Sequence, residues 1–103
     1  MPYRKIRNLE ISSLAESDIE DIVQYTYTHY GIAQVDKYLD ALMQAMGLIA
    51  ENSDIGHKRE DLPDKYRVFS VGKHIVVYKL KEQITYVSRI LHENMDFRNQ
   101  TID

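Results

Sequence analysis

Tyr66-Arg67-Val68-Phe69-Ser70-Val71-Gly72-Lys73-His74-Ile75-Val76-Val77-Tyr78-Lys79-Leu80-Lys81-Glu82-Gln83-Ile84-Thr85-Tyr86-Val87-Ser88-Arg89-Ile90-Leu91 decides the fold. Residues 66–71, 74–80 and 84–91 are three runs of β-branched, aromatic and aliphatic side chains, the composition of strands. Gly72-Lys73 suits a two-residue hairpin turn with glycine at its first central position. Lys81-Glu82-Gln83 is a second, polar turn. The stretch predicts a three-stranded antiparallel meander. Across the first turn Val71 faces His74, Phe69 faces Val76 and Arg67 faces Tyr78, all on one side of the sheet. The second turn leaves two registers open. A three-residue loop puts Arg89 on the side opposite Arg67, and a two- or four-residue loop puts the two arginines together, because one step of register exchanges the faces.

Working back from the meander, residues 52–65 contain Asn, Ser, Asp, Gly and Pro and read as a loop. Before it, Val35, Tyr38, Leu39, Leu42, Ala45, Met46 and Ile49 recur at helical spacing and form an apolar stripe. Ala15, Ile19, Ile22, Val23, Thr26 and Tyr30 do the same one helix earlier. Ser13-Leu14-Ala15-Glu16 has the spacing of a capping box. Glu16, Asp18, Glu20 and Asp21 then sit at the positive end of the helix dipole. Gly31 between the helices suits a helix end, and so short a link makes an antiparallel helix hairpin. Residues 3–11 alternate loosely and predict a first strand. The expected architecture is α+β: an N-terminal strand, an antiparallel helix hairpin, then the meander.

The chain has 103 residues, room for one domain, here 1–103, with one shared core. It has no cysteine, so disulfides and thiolate metal sites are excluded and a reducing compartment fits. No apolar run is long enough for a signal peptide or a membrane span, and the expected location is cytoplasmic, with no membrane partner. The formal charge is −3, without the basic excess usual in nucleic-acid binders, and no direct sequence-specific nucleic-acid binding is expected. The charge is uneven. From Gly56 onward there are nine Lys and Arg against seven Asp and Glu, so the acidity lies in the first half.

Five segments carry a resemblance. They are residues 13–22 (SLAESDIEDI), residues 50–56 (AENSDIG), Tyr66-Arg67-Val68-Phe69 with Val71-Gly72, His74-Ile75-Val76-Val77-Tyr78, and Arg89-Ile90-Leu91-His92 with Met95-Asp96. In this order and spacing they resemble the ParE toxins of the ParE/RelE superfamily over nearly the whole chain. The resemblance implies the toxin of a type II toxin-antitoxin pair of the kind that stabilises plasmids. It would be neutralised by a ParD-like antitoxin and would act as an inhibitor of DNA gyrase rather than as an enzyme. The runner-up is a RelE-like, ribosome-dependent mRNA endonuclease, for which Arg67, Arg89 and His92 occupy matching places, with His57, Lys58 and Arg59 nearby in sequence. RelE relatives place a tyrosine or histidine after the last strand. Here no tyrosine follows it, and the last one, Tyr86, lies within it. A third reading is an inert adaptor that keeps only the antitoxin-binding surface.

The candidate target-binding residues are Arg67, Arg89, His92, Met95 and Arg98. Each also has a structural reading. Arg67 can pair with an acid or stack on Tyr78. Arg89 in an apolar strand needs a partner for its charge. His92 at a strand end can simply be a hydrogen-bonding residue. His29, His57 and His74 lack metal-ligand spacing, and Gly72 is a turn glycine rather than part of a phosphate loop, so neither metal nor cofactor is expected. Met43 and Met46 read as core or groove residues, and core packing accounts for most of the eight tyrosines. In the polar tail after Leu91, Met95, Phe97 and Ile102 either pack back on the sheet or face a target.

Overall fold

The computed structural model describes residues 6–102. In chain order the elements are β1 (Leu9–Ile11), α1 (Ser13–Tyr30), α2 (Ile32–Glu51), a short 3-10 turn (Ser53–Ile55), β2 (Tyr66–Val71), β3 (His74–Lys81), β4 (Ile84–His92) and a second 3-10 turn (Phe97–Asn99). The strands form one sheet in the order β1-β4-β3-β2. β1 runs parallel to β4, and the other pairs are antiparallel. The predicted first strand shortens to three residues. Arg7 and Asn8 form a turn, with Asn8 at a positive φ of 62°, and residues 3–5 lie outside the described residues.

Helix α1 starts one residue earlier than the capping box predicts. Ser12, not Ser13, is the cap, and its Oγ accepts the Ala15 N–H at 3.0 Å. The reason is tertiary. Ser12 is buried and its hydroxyl also donates to the Ser88 carbonyl at 2.7 Å, which ties the helix start to β4. Gly31, at a φ of 89°, joins the two helices and lets the chain reverse at once. Both helices lay their apolar stripes on one face of the sheet. Ala15, Ile19, Leu42, Ala45, Met46 and Ile49 pack there against Val71, Val76, Tyr78, Val87 and Ile90.

The other face of the sheet has its own cluster of Tyr66, Val68, Ile75, Val77 and Leu91, covered by Leu62, Phe97 and Ile102. The tail therefore packs back on the sheet through Phe97, which is 1% exposed, and Ile102, while Met95 stays exposed.

The three pairs expected across the Gly72-Lys73 turn are all present. The second turn is a two-residue loop, since Lys81 pairs with Ile84. A two-residue loop alone would set Arg89 beside Arg67. Instead Val87 pairs with Tyr78 while Arg89 pairs with Val77, so a bulge at Ser88 adds one residue to β4. That extra residue moves Arg89 to the face away from the helices. Arg67, opposite Tyr78, stays on the helix face.

Candidate functional site

Arg89 has its charge met inside the fold. Its Nε and Nη2 donate to the two carboxylate oxygens of Asp18 at 2.8 and 2.9 Å, and its Nη1 donates to the Thr101 carbonyl at 2.7 Å. Both side chains of the pair are only 12% exposed. Asp18 also accepts the Ile90 N–H at 2.8 Å, at the point where β1 has ended and β4 has no strand neighbour on that side. One carboxylate thus caps an open sheet edge and fixes a guanidinium. A planar, bidentate pair of this kind is the strong form of an ion pair.

Arg67 sits elsewhere. Its Nη1 donates to the Gly56 carbonyl at 3.1 Å, and Nη2 lies 3.9 Å from the exposed Asp54. It helps Tyr78 hold the loop after α2. The Tyr78 hydroxyl donates to the Ser53 carbonyl at 2.6 Å and accepts the Gly56 N–H at 2.9 Å. Burial is the main cause that pushes the Tyr78 phenol up.

His92 lies at the opposite end of the sheet from Arg67, directly across from His74. The two imidazoles meet edge to face with centroids 5.4 Å apart, and Tyr38 meets His74 in the same way at 5.5 Å. His92 Nδ1 accepts the Asn94 N–H. Burial pushes the Tyr38 phenol up to about 12. Burial first, then the neighbouring His92, pulls the His74 imidazole below its ordinary value. Tyr38 Oη and His74 Nδ1 are buried without a hydrogen-bond partner among the described residues. The three rings form part of the wall of an open groove of about 760 Å³ between α1, the start of α2 and the Gly72 turn. Tyr25, Tyr30 and Met95 also line it, and all three are among the large exposed apolar side chains. Tyr and Met are the side chains enriched at protein interfaces.

Arg98 is exposed on the second 3-10 turn, whose start Asp96 caps by accepting the Arg98 N–H. Next to it the Arg59 guanidinium stacks on the Phe97 ring at 3.9 Å and pairs with Asp61 at 2.7 Å.

The five sequence candidates are therefore dispersed. His92 and Met95 share the groove, Arg67 is at the other end of the sheet on the same face, and Arg89 and Arg98 belong with the tail. His57 bridges the edge of β2 through Val68. Among the described residues, no group of three or more His, Cys, Asp or Glu is placed to hold a metal ion, and no helix is long and apolar enough to cross a membrane. Sequence reasoning missed Asp18, Tyr38 and His74 as members of these sites. Asp18 reads as a helix-dipole acid and Tyr38 as core. Only the pairing of two strand-end histidines across a short meander could have signalled the groove.

A helix hairpin across one face of a four-stranded sheet, with its first strand parallel to its last, defines the small α+β toxin class to which the five segments point. The chain belongs to the ParE toxin family of type II toxin-antitoxin systems: the family model described as "ParE toxin of type II toxin-antitoxin system, parDE" matches residues 9–97. Toxin ParE1 of Mycobacterium tuberculosis is 33% identical over 87 residues, which span 84% of this chain and 89% of that one. Toxin ParE1 of Caulobacter vibrioides is 31% identical over 97 residues, 94% of each chain. A solved chain described as "Chromosomal ParDE TA system from P. aeruginosa" shares the fold, with a TM-score of 0.71 at 14% identity over 82% of this chain and 92% of that one.

Proposed function

We propose that this chain is a ParE-type toxin that inhibits DNA gyrase by binding, and that a ParD-like antitoxin neutralises it by folding across the helix hairpin and the sheet. The observation that carries the non-enzymatic reading is the separation of the groups that RNA cleavage needs. Such a reaction calls for a base or acid at the 2′-hydroxyl and cations at the phosphate within one site. Here the Arg89 guanidinium is closed against Asp18 at the open edge of β4, Arg67 holds a loop from β2, two strands away, and His92 stands a strand's length from Arg67. The groove beside His74 and His92 supports the antitoxin reading, because its exposed tyrosines and Met95 offer apolar area to a folded-on segment.

Two assays side by side test this. Gyrase supercoiling and DNA cleavage in the presence of the toxin should show inhibition, and a ribosome-dependent translation reaction should show intact mRNA. A cut in mRNA that disappears on Arg67→Ala or His92→Ala would replace the proposal with the RelE-like reading. Inactivity in both assays, with antitoxin binding retained, would leave the adaptor. Failure to form a complex on co-expression with the neighbouring gene product would remove the antitoxin claim.

A further inference from the structure

β4 loses its outer neighbour part of the way along. From Thr85 to Val87 it pairs with β1, and the Ser12 N–H closes that ladder on the Val87 carbonyl. Above the bulge at Ser88 the outer side of β4 has no strand beside it. Backbone groups alternate in direction along a strand. Glu93 donates to the Lys73 carbonyl, so Glu93, Leu91 and Arg89 turn toward β3, and Ile90 and His92 turn outward. Two bonds agree with this. The Ile90 N–H goes to Asp18, and the His92 carbonyl accepts the Met95 N–H. The Ile90 carbonyl and the His92 N–H are left, and neither has a partner among the described residues. A carbonyl with an N–H two residues further on is the pair by which a parallel ladder clasps one residue of its neighbour. This open pair continues the line of β1.

The pair lies beside the groove, which Ile90 and His92 both line. Tyr25, Tyr30 and Met95 stand uncovered along it, at 59%, 69% and 43% exposure. Asp21, one turn beyond Asp18 on α1, also lines it, is exposed, and has no ion pair among the described residues. We infer that the groove takes an extended peptide segment, which joins the sheet beside Ile90–His92 in line with β1 and brings a Lys or Arg to Asp21. The inference rests on the antitoxin reading above and names the part of the antitoxin that enters: an extended stretch rather than a helix. A helix keeps its own N–H and C=O groups paired within itself, so it would cover the two β4 groups and leave them unmet, which is costly. An added strand meets them with its main chain and sends alternate side chains toward the rings. The free carboxylate of Asp21 opposes a nucleic acid, and a second copy of the chain would set acidic α1 against acidic α1. Lys73, on the Gly72 turn, is the one Lys or Arg among the described residues that line the groove, and it offers an acidic side chain of the segment a partner.

Amide hydrogen exchange followed by NMR tests this on the labelled full chain, free and bound to the unlabelled product of the neighbouring gene. In the free chain the His92 amide should exchange at close to the rate of an unstructured peptide. In the complex it should slow by about a hundredfold or more and show contacts to backbone protons of the antitoxin. Ser70 is the comparison, because its amide points out from β2, the other edge, two residues beyond the Val68 N–H that His57 accepts. It should exchange equally fast in both states. Asp21→Lys should weaken the complex about tenfold or more. Glu20→Lys, the same charge change on α1 but outside the groove, should weaken it far less. A complex in which the His92 amide still exchanges fast, protection at Ser70 in its place, or equal losses from the two lysine variants would overturn the inference and leave the antitoxin reading standing. Absence of any complex would overturn both.

Discussion

Gly56 shows how far one residue can be fixed by its surroundings. Its backbone is unstrained, yet a Cβ built there would run into the Tyr78 hydroxyl and lie 2.8 Å from the Val68 carbonyl oxygen. Tyr78 cannot retreat, because its hydroxyl is committed to Ser53 and to Gly56 itself. Gly56→Ala should therefore cost about 1–3 kcal/mol, the range for forcing extra volume into a packed site. Urea unfolding followed by circular dichroism measures it, and a loss within error of zero would mean the loop moves freely. His74 makes a second prediction at this scale. Its imidazole titrates below the ordinary 6.5 in the folded chain, so the unfolded chain binds its proton more readily. The stabilisation is whole above pH 6.5 and is lost as the pH falls through the folded value. Facing it are His92, Glu93 and Asp18; His92 opposes the charged form and the two acids favour it. His74→Gln should flatten the fall in melting temperature between about pH 7.5 and 5. An unchanged profile would assign that fall to other groups.

Between elements, the joint that matters most is α1 to β4. Ser12 and Asp18 reach from α1 to β4 through Ser88, Arg89 and Ile90, and the same Arg89 holds the tail at Thr101. The bulge at Ser88 is what turns Arg89 to that side. Asp18→Ala would take the carboxylate from a nearly buried guanidinium and remove the acceptor of the Ile90 N–H. Breaking such a pair from one side costs about 3–5 kcal/mol. Arg89→Met, which removes the charge and fills the space, should cost less. Thermal melts of the two variants give the order. If Arg89→Met proves the worse, the pair's value lies in the tail contact rather than in charge compensation.

At the scale of the molecule, charge is layered. The two helices carry seven Asp and Glu against a single Lys or Arg, Lys37, while the other described lysines and arginines lie in the sheet, the loops and the tail. The tail belongs to the body of the protein as well. Ending the chain after Leu91 removes Phe97, Ile102 and the Thr101 carbonyl, and so uncovers one face of the sheet. Such a truncation should fail to fold cooperatively, since losing a buried phenylalanine side chain alone costs about 3–5 kcal/mol. Near-native circular dichroism and a sharp melt from the truncated chain would contradict this. Met95→Ala and Arg98→Ala, both at exposed positions, are the gentler way to ask whether the tail meets a target. Either should leave the melting temperature nearly unchanged, and growth inhibition reads their effect.

The sequence by itself determined the element order, both apolar helix stripes, the Gly31 reversal, the Gly72-Lys73 turn and the pairing of Arg67 with Tyr78. These follow from local propensity, periodicity and turn chemistry, which act over a few residues. It also carried the five segments that mark the family. Only the tertiary structure decided which serine caps α1, because Ser12 is selected by the Ser88 carbonyl 76 residues away. Only it decided that Arg89 faces away from Arg67, because a single bulge residue reverses a face whatever the loop length. The groove at Tyr38, His74 and His92 likewise brings together side chains from separate elements. No spacing along one element encodes such meetings; they depend on sheet register and on the angle at which the hairpin lies across the sheet.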